Sequence, residues 1–557
     1  MSKNQNRGGT MLAGFSILGA VGIICKVIGM VFRVSLSASI GAQGIGLYQA
    51  VYPTYTLLLT LSTAGLPVAI SRMVAEATTT GDEPGAKKVL RTALYLIGSI
   101  GVILTVLMFV GSGWLAERIG AADAATGVSA QLGFQMIAPS VAIVAVMSAF
   151  RGYMQGHRMM LPTGISQLIE QVAKVIISFP LAAWGLTNGG VGLAAAMALL
   201  GITIGEAAAM LYMLITAYIW SKRFGNDKDS LESAQILHDQ KEASNNLQHK
   251  HHSVLVRMLY IAVPITLGAA IVPALGFIDS AMIINRLIAA GYEKGAAQTL
   301  YGLQSGSVLS LLNVPTALAL AVAMSLVPAI SAANVRGDKA EVRAQTMISL
   351  RLAFLIGLPC ALGMSLLSTP IVRLLYSTYT PDQIDIAGRL LAIGAFTIPL
   401  FILIQAAEGV LQGIGLQRIP MWTLVIGAVV KTSLNYQLIG TPNINIFGAP
   451  IASLACYTLV AGINLAFAMK RTGTKFHLMD LLVKPGLCTV IMAAAVLMIQ
   501  AVFGTDSTTK TLLAVAVGVL AYIIAAPLTG AVRKDDLAQF PGLGRFAGRF
   551  NRKVKAS

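Results

Sequence analysis

The chain has 557 residues, 56% of them hydrophobic and only 11% charged, with a mean hydropathy of +0.75. That much apolar surface excludes a soluble globular protein of this size and points to a polytopic membrane protein. The net charge of +17 does not signal nucleic acid, because Lys and Arg concentrate in alternate connections, as the positive-inside rule requires, and no aromatic-interleaved basic module accompanies them.

In chain order, apolar runs predict about fourteen membrane helices, beginning near residues 10, 46, 86, 126, 162, 190, 255, 299, 341, 386, 419, 446, 484 and 511. The runs are continuous rather than alternating, which favours helices over barrel strands. The first run is too long for a cleaved leader and lacks a small-residue cleavage site, so it is expected to stay as a helix. Basic residues fill the amino terminus, 72–91, 151–158, 222–257, 336–351, Arg418, 470–484 and the tail from Arg533, whereas the turns at 41–44, 117–123, 187–190 and 441–445 hold almost none. This alternation predicts a cell-membrane protein with both termini in the cytoplasm. Prolines at 139, 180, 264, 273, 315, 359 and 399 are expected to break helices.

The polar stretch from Ser221 to Ser253 carries clustered charges and His238, His249, His251 and His252, and reads as a cytoplasmic linker between two halves. The histidine run is taken as a solvated loop and not a metal site, since nothing rigid orients it. Cys25, Cys360, Cys456 and Cys488 fall in apolar segments without CxxC spacing, so neither a disulfide framework nor zinc is expected. Nucleotide-binding, HExxH and GxSxG motifs are absent, and neither a cofactor nor an enzyme is expected.

The halves repeat. The turn Arg151-Gly152-Tyr153-Met154-Gln155-Gly156, with Pro162 and Lys174 after it, matches Glu408-Gly409-Val410-Leu411-Gln412-Gly413, with Pro420 and Lys431, at an offset of 257 or 258 residues. Pro67 to Ser71 likewise resembles Pro328 to Ser331, and a Gly-Asp pair follows each, Gly81-Asp82 and Gly337-Asp338. Six spans per half is an even number, so the halves share one orientation, as in a parallel repeat. The predicted organisation is an N-terminal lobe over 1–220, a linker over 221–254, a C-terminal lobe over 255–472, and two extra helices with a basic tail over 473–557. The fold class is therefore an all-α polytopic membrane protein, two pseudo-symmetric six-helix lobes around a central site plus two C-terminal helices.

Charges at membrane depth are the candidate functional residues. Lys26 and Arg33 are about two turns apart on one face of the first helix, and the insertion cost of roughly 2.5 to 3.5 kcal/mol per charge favours a cavity over lipid. An anionic ligand is the first hypothesis, although Arg33 could instead cap the span at the outer interface. Glu170 and Lys174 are one turn apart and can pair, either as a structural ion pair or as part of a cavity that Lys431 shares through the repeat. Asp279 and Arg286 lie on the seventh span. Asp279 is a candidate cation or proton site, or a counter-charge to the first-helix cations, and Arg286 has a snorkelling alternative.

Lys26-Val27-Ile28-Gly29 through Arg33, then Ile40 to Gln49, Val51-Tyr52-Pro53 and Ser62 to Ser71, resemble the stage V sporulation protein B group of polysaccharide exporters. That group is part of the multidrug/oligosaccharidyl-lipid/polysaccharide exporter superfamily, which also holds the lipid II flippases. The resemblance covers essentially the whole chain. It implies a two-lobed fold around a central cavity, and transport of an undecaprenyl-pyrophosphate-linked saccharide, with the peptidoglycan precursor lipid II in first place. It also implies that Lys26 and Arg33 meet the pyrophosphate. The second and eighth helices, where lipid II flippases place further arginines, read Leu57-Leu58-Leu59 and Ser310 to Asn313. Partners implied are the lipid-linked oligosaccharide and membrane lipids, with cell-wall synthesis enzymes left open. A cation-coupled multidrug antiporter is the alternative from the same architecture.

Overall fold

The computed structural model describes residues 2–121, 130–224, 253–475, 477–504 and 507–532. The linker histidines and the basic tail from Arg533 lie outside the described residues. Every regular element among the described residues is helical. Among the described residues ten helices are long and apolar enough to cross a membrane, and the chain is a multi-pass membrane protein.

The described residues pack into two compact units: those within 1–32, 43–285 and 294–298 form unit 1, and those within 33–42, 286–293 and 299–557 form unit 2. Unit 1 is built from α1 (Ser2–Thr63), α2 (Leu66–Thr79), α3 (Glu83–Val110), α4 (Ser112–Arg118), α5 (Ala130–Gly156), α6 (Leu161–Phe224) and most of α7 (Val254–Ala289). Unit 2 takes in α8 (Lys294–Tyr301) from Thr299 onward. A π-helical turn, Gly302–Val308, leads into α9 (Leu309–Val335). There follow α10 (Lys339–Leu366), α11 (Ser368–Leu375), α12 (Pro381–Gly394), α13 (Thr397–Gly413), α14 (Arg418–Ile439), α15 (Gly448–Thr472), α16 (Lys484–Phe503) and α17 (Thr508–Leu528).

The units differ from the lobes expected from chain order. The start of α7 belongs with unit 1, where Met258 and Ala262 join a buried cluster with Leu66, Ile70, Val74, Ile97 and Met154. Thr266 Oγ1 accepts a hydrogen bond from the Gly65 amide at 3.1 Å, fastening α7 to the break between α1 and α2. The stretch 33–42 of α1 packs with unit 2.

Within α1 and α6 the helix interruptions fall at glycines, and of the seven expected prolines only Pro399 stands beside a break, in the first turn of α13 after the turn at 395–396. Pro139, Pro180, Pro264, Pro273, Pro315 and Pro359 all lie inside helices, whereas non-helical backbone occurs within α1 at Gly41 (φ 72°) and within α6 at Gly190 (φ 74°). Neighbouring helices can satisfy the carbonyl that a proline frees, so the ring alone does not end a membrane helix. At Gly190 the chain folds straight back, and Ser178 Oγ donates to the Ala198 carbonyl at 3.0 Å. Gly201 and Gly205 make this close: a methyl group on Gly201 would sit 2.5 Å from the Ser178 Cα, and one on Gly205 2.9 Å from the Lys174 backbone nitrogen.

The repeat has matching local geometry. Asp82 caps α3 by accepting from the Gly85 amide at 2.8 Å, and Asp338 caps α10 through the Ala340 and Glu341 amides at 3.1 and 3.0 Å. Gly152 and Gly156 pack on Pro67, Ile70 and Val74 of α2, while Gly413 packs on Ile330 of α9. A left-handed residue stands two positions past the end of both α5 and α13, Arg158 (φ 62°) in the first repeat and Gly415 (φ 80°) in the second. A side chain in that conformation costs about 1 to 2 kcal/mol, which glycine avoids at some entropic cost. Arg158 is exposed, so Arg158→Gly is expected to raise stability by up to about 1 kcal/mol, read as a later unfolding midpoint in detergent.

Candidate functional site

In unit 1, α1 packs on α6 through Gly29, which faces Gln171, and through Phe32, whose ring tilts against Phe179 at 5.6 Å between centroids. Lys26, three residues before Gly29, is exposed, and the apolar side chains of Ile24, Val27 and Val31 are exposed beside it. An accessible ammonium bordered by apolar surface can bind an anion strongly, because little water competes there. Arg33 is half-buried and is the first α1 residue of unit 2.

The expected Glu170–Lys174 pairing does not occur. Glu170 accepts from Arg151 of α5 at 3.1 Å, Arg151 Nε donates to Ser166 Oγ at 2.9 Å, and Gln171 Nε2 donates to Glu170 at 3.3 Å. Lys174 is buried, its ammonium 4.7 Å from the Phe32 ring centroid and 5.9 Å from that of Tyr52. The planar guanidinium can hold a carboxylate and a hydroxyl together, and the ammonium is held by ring faces instead. One helical turn brings side chains within reach but does not choose between partners on neighbouring helices.

Glu206, on the returning limb of α6, is 3% exposed and accepts from the Tyr55 hydroxyl at 2.6 Å and from Ser140 Oγ. Its charge is visible in the sequence, whereas these two donors on α1 and α5 carry no periodic signal.

In unit 2, Arg286 stacks on the Tyr436 ring, 4.0 Å from its centroid, and Nε donates to the Tyr436 carbonyl at 3.0 Å. Asp279, in the unit 1 part of α7, and Lys431 on α14 are both half-buried. A second hydroxyl cluster joins Ser37, Ser307 and Tyr379: Ser37 and Ser307 are 3.1 Å apart, Ser307 and Tyr379 are 2.5 Å apart, and Ser37 also bonds to Tyr379. Thr378 Oγ1 adds a bond to the Ala38 carbonyl at 2.7 Å, so the 33–42 stretch is fixed within unit 2. Burial raises the Tyr376 and Tyr379 hydroxyls above the ordinary phenol range, which keeps both protonated as donors.

Comparison with known proteins agrees with this architecture. The family model described as "Polysaccharide biosynthesis protein" matches residues 11–335, and a second, MatE, matches 264–437. The chain is 28% identical to the stage V sporulation protein B of Bacillus subtilis (strain 168), over 96% of this chain and 98% of that one. It is 27% identical to the lipid II flippase MurJ of the same organism, over 97% and 99%. Among solved structures, a lipid II flippase MurJ in an inward closed conformation superposes with a TM-score of 0.68 at 16% identity, covering 92% of this chain and 98% of that one. The chain belongs to the polysaccharide biosynthesis protein family, within the multidrug/oligosaccharidyl-lipid/polysaccharide exporter superfamily, whose members are transporters and not enzymes.

Proposed function

We propose that the protein is a flippase that moves an undecaprenyl-pyrophosphate-linked saccharide, in first place lipid II, from the inner to the outer leaflet by alternating access. The observation that carries this reading is the exposed Lys26 ammonium within an apolar membrane helix. A cation so placed costs roughly 2.5 to 3.5 kcal/mol on insertion scales, and a pyrophosphate would offset that cost through charge-assisted hydrogen bonds. Arg33 would be the second ligand, the polyprenyl tail would stay in lipid, and the termini would face the cytoplasm. Asp279, Arg286 and Lys431 would serve as further cavity or coupling positions. The resemblance to a stage V sporulation protein B and a lipid II flippase supports the substrate class.

The MatE match over 264–437 gives the antiporter reading its support. That mechanism calls for open carboxylates in the first half of the chain, but Glu170 there is paired with Arg151. The two readings separate in liposomes containing fluorescent lipid II. The flippase reading expects leaflet exchange to accelerate at least about tenfold over protein-free vesicles, a barrier change of about 1.4 kcal/mol. Folded protein that leaves exchange at the background rate, and instead swaps cations for drugs, would overturn it.

A further inference from the structure

We propose that Glu206 is a proton-binding site in unit 1 whose occupancy is coupled to transport of the anionic substrate. The coupling rests on the flippase reading; proton binding does not.

Glu206 stands about 24 Å along the helix from both Gly190 and Lys222, near the middle of a span whose hydrocarbon surroundings are about 30 Å thick. It is 3% exposed, so its carboxylate depends on protein donors. Tyr55 donates to one oxygen and Ser140 to the other, and Ser140 Oγ also lies 3.1 Å from the Tyr55 hydroxyl. The network admits a proton without rearrangement: the carboxyl O–H then donates to Ser140 Oγ, and the Ser140 hydrogen turns to the Tyr55 oxygen. No other group changes charge.

The charged groups facing Glu206 are Glu170 and Lys174 on the other limb of α6 and Arg151 on α5, and the Tyr52 ring lies 5.7 Å from that of Tyr55. Two cations and two carboxylates sum to zero with Glu206 ionised and to +1 with it protonated. Lys174 lies over Phe32, six residues along α1 from Lys26, so a proton on Glu206 adds a positive charge to the unit that carries the Lys26 ammonium. By linkage, anion and proton then strengthen each other's binding reciprocally.

The second repeat indicates that holding helices together does not need an ionisable group. Asn464, 258 residues after Glu206, is fully buried and accepts from Thr423 Oγ1 at 2.7 Å. A permanently neutral amide serves on α15. The carboxylate on α6 adds the capacity to gain and lose a proton.

Infrared difference spectroscopy of the purified protein tests the site without substrate. Acidification should bring up a protonated-carboxyl stretch in the wild type that is missing in Glu206→Gln. In liposomes at clamped membrane potential, an imposed pH gradient should change wild-type lipid II exchange at least about fivefold and leave exchange by Glu206→Gln indifferent to the gradient. A band that persists in Glu206→Gln overturns the site, and a gradient response equal to the wild type overturns the coupling. A wild type that shows the band but flips no lipid at all overturns the flippase reading and leaves the proton site standing. If Glu206→Gln does not fold, Tyr55→Phe, which removes one donor, should move the band along the pH axis while a remote control, Ser453→Ala, leaves it in place. A band unmoved by Tyr55→Phe overturns the assignment to Glu206.

Discussion

Lys26→Ala is expected to slow leaflet exchange of a pyrophosphate-linked lipid by about tenfold to a hundredfold. The estimate follows from one lost charge-assisted contact of about 1.5 to 3 kcal/mol, made where lipid and protein exclude most water. Because the side chain is exposed, its removal should change the unfolding midpoint little, by an equivalent of about 0.5 kcal/mol at most. Lys26→Arg keeps the charge and should retain most of the activity, whereas Lys26→Met keeps the apolar stem and should behave like alanine. Arg33→Ala is expected to act in the same direction. Exchange at the wild-type rate in both alanine variants would reject the first helix as the pyrophosphate site.

The largest expected effect on stability is at Arg151. Its pair with Glu170 has side chains only 13% and 21% accessible, so Arg151→Ala leaves a largely buried carboxylate without its cation. A fully buried pair broken in this way loses about 3 to 5 kcal/mol, and the residual exposure lowers the expectation to about 2 to 3 kcal/mol. Most of that loss comes from the stranded charge. Adding Glu170→Gln to Arg151→Ala should therefore recover part of the lost unfolding midpoint, although it removes a second native group. A double variant less stable than Arg151→Ala would show that Glu170 has other support.

The spans were legible because an apolar run long enough to cross a bilayer has few alternatives in water or lipid, and helices stand near each predicted start. The repeat was legible for a similar reason. Gly81-Asp82 and Gly337-Asp338 carry a left-handed turn and a cap in two adjacent letters, and the structure uses both pairs in that way. Three features were not legible. Proline looked like a breaker because hydropathy does not register which neighbouring group takes up the freed carbonyl. Glu170 looked like the partner of Lys174 because spacing along one helix is visible and the approach of Arg151 from α5 is not. The change of unit between Phe32 and Arg33 leaves no mark in hydropathy at all, since it is defined by contacts far along the chain.

Gly190 joins the two limbs of α6 with no loop residues beyond itself. A connection of zero length cannot absorb a change in residue number. One residue inserted there would turn the returning limb by about 100° and advance it by about 1.5 Å. Gly201 and Gly205 would swing away from Ser178 and Lys174, and Glu206 away from Tyr55 and Ser140, in a single displacement. Ordinary surface loops tolerate gained and lost residues, but at this hairpin the count of residues is itself a structural constraint, as binding on the chain as the identity of any side chain.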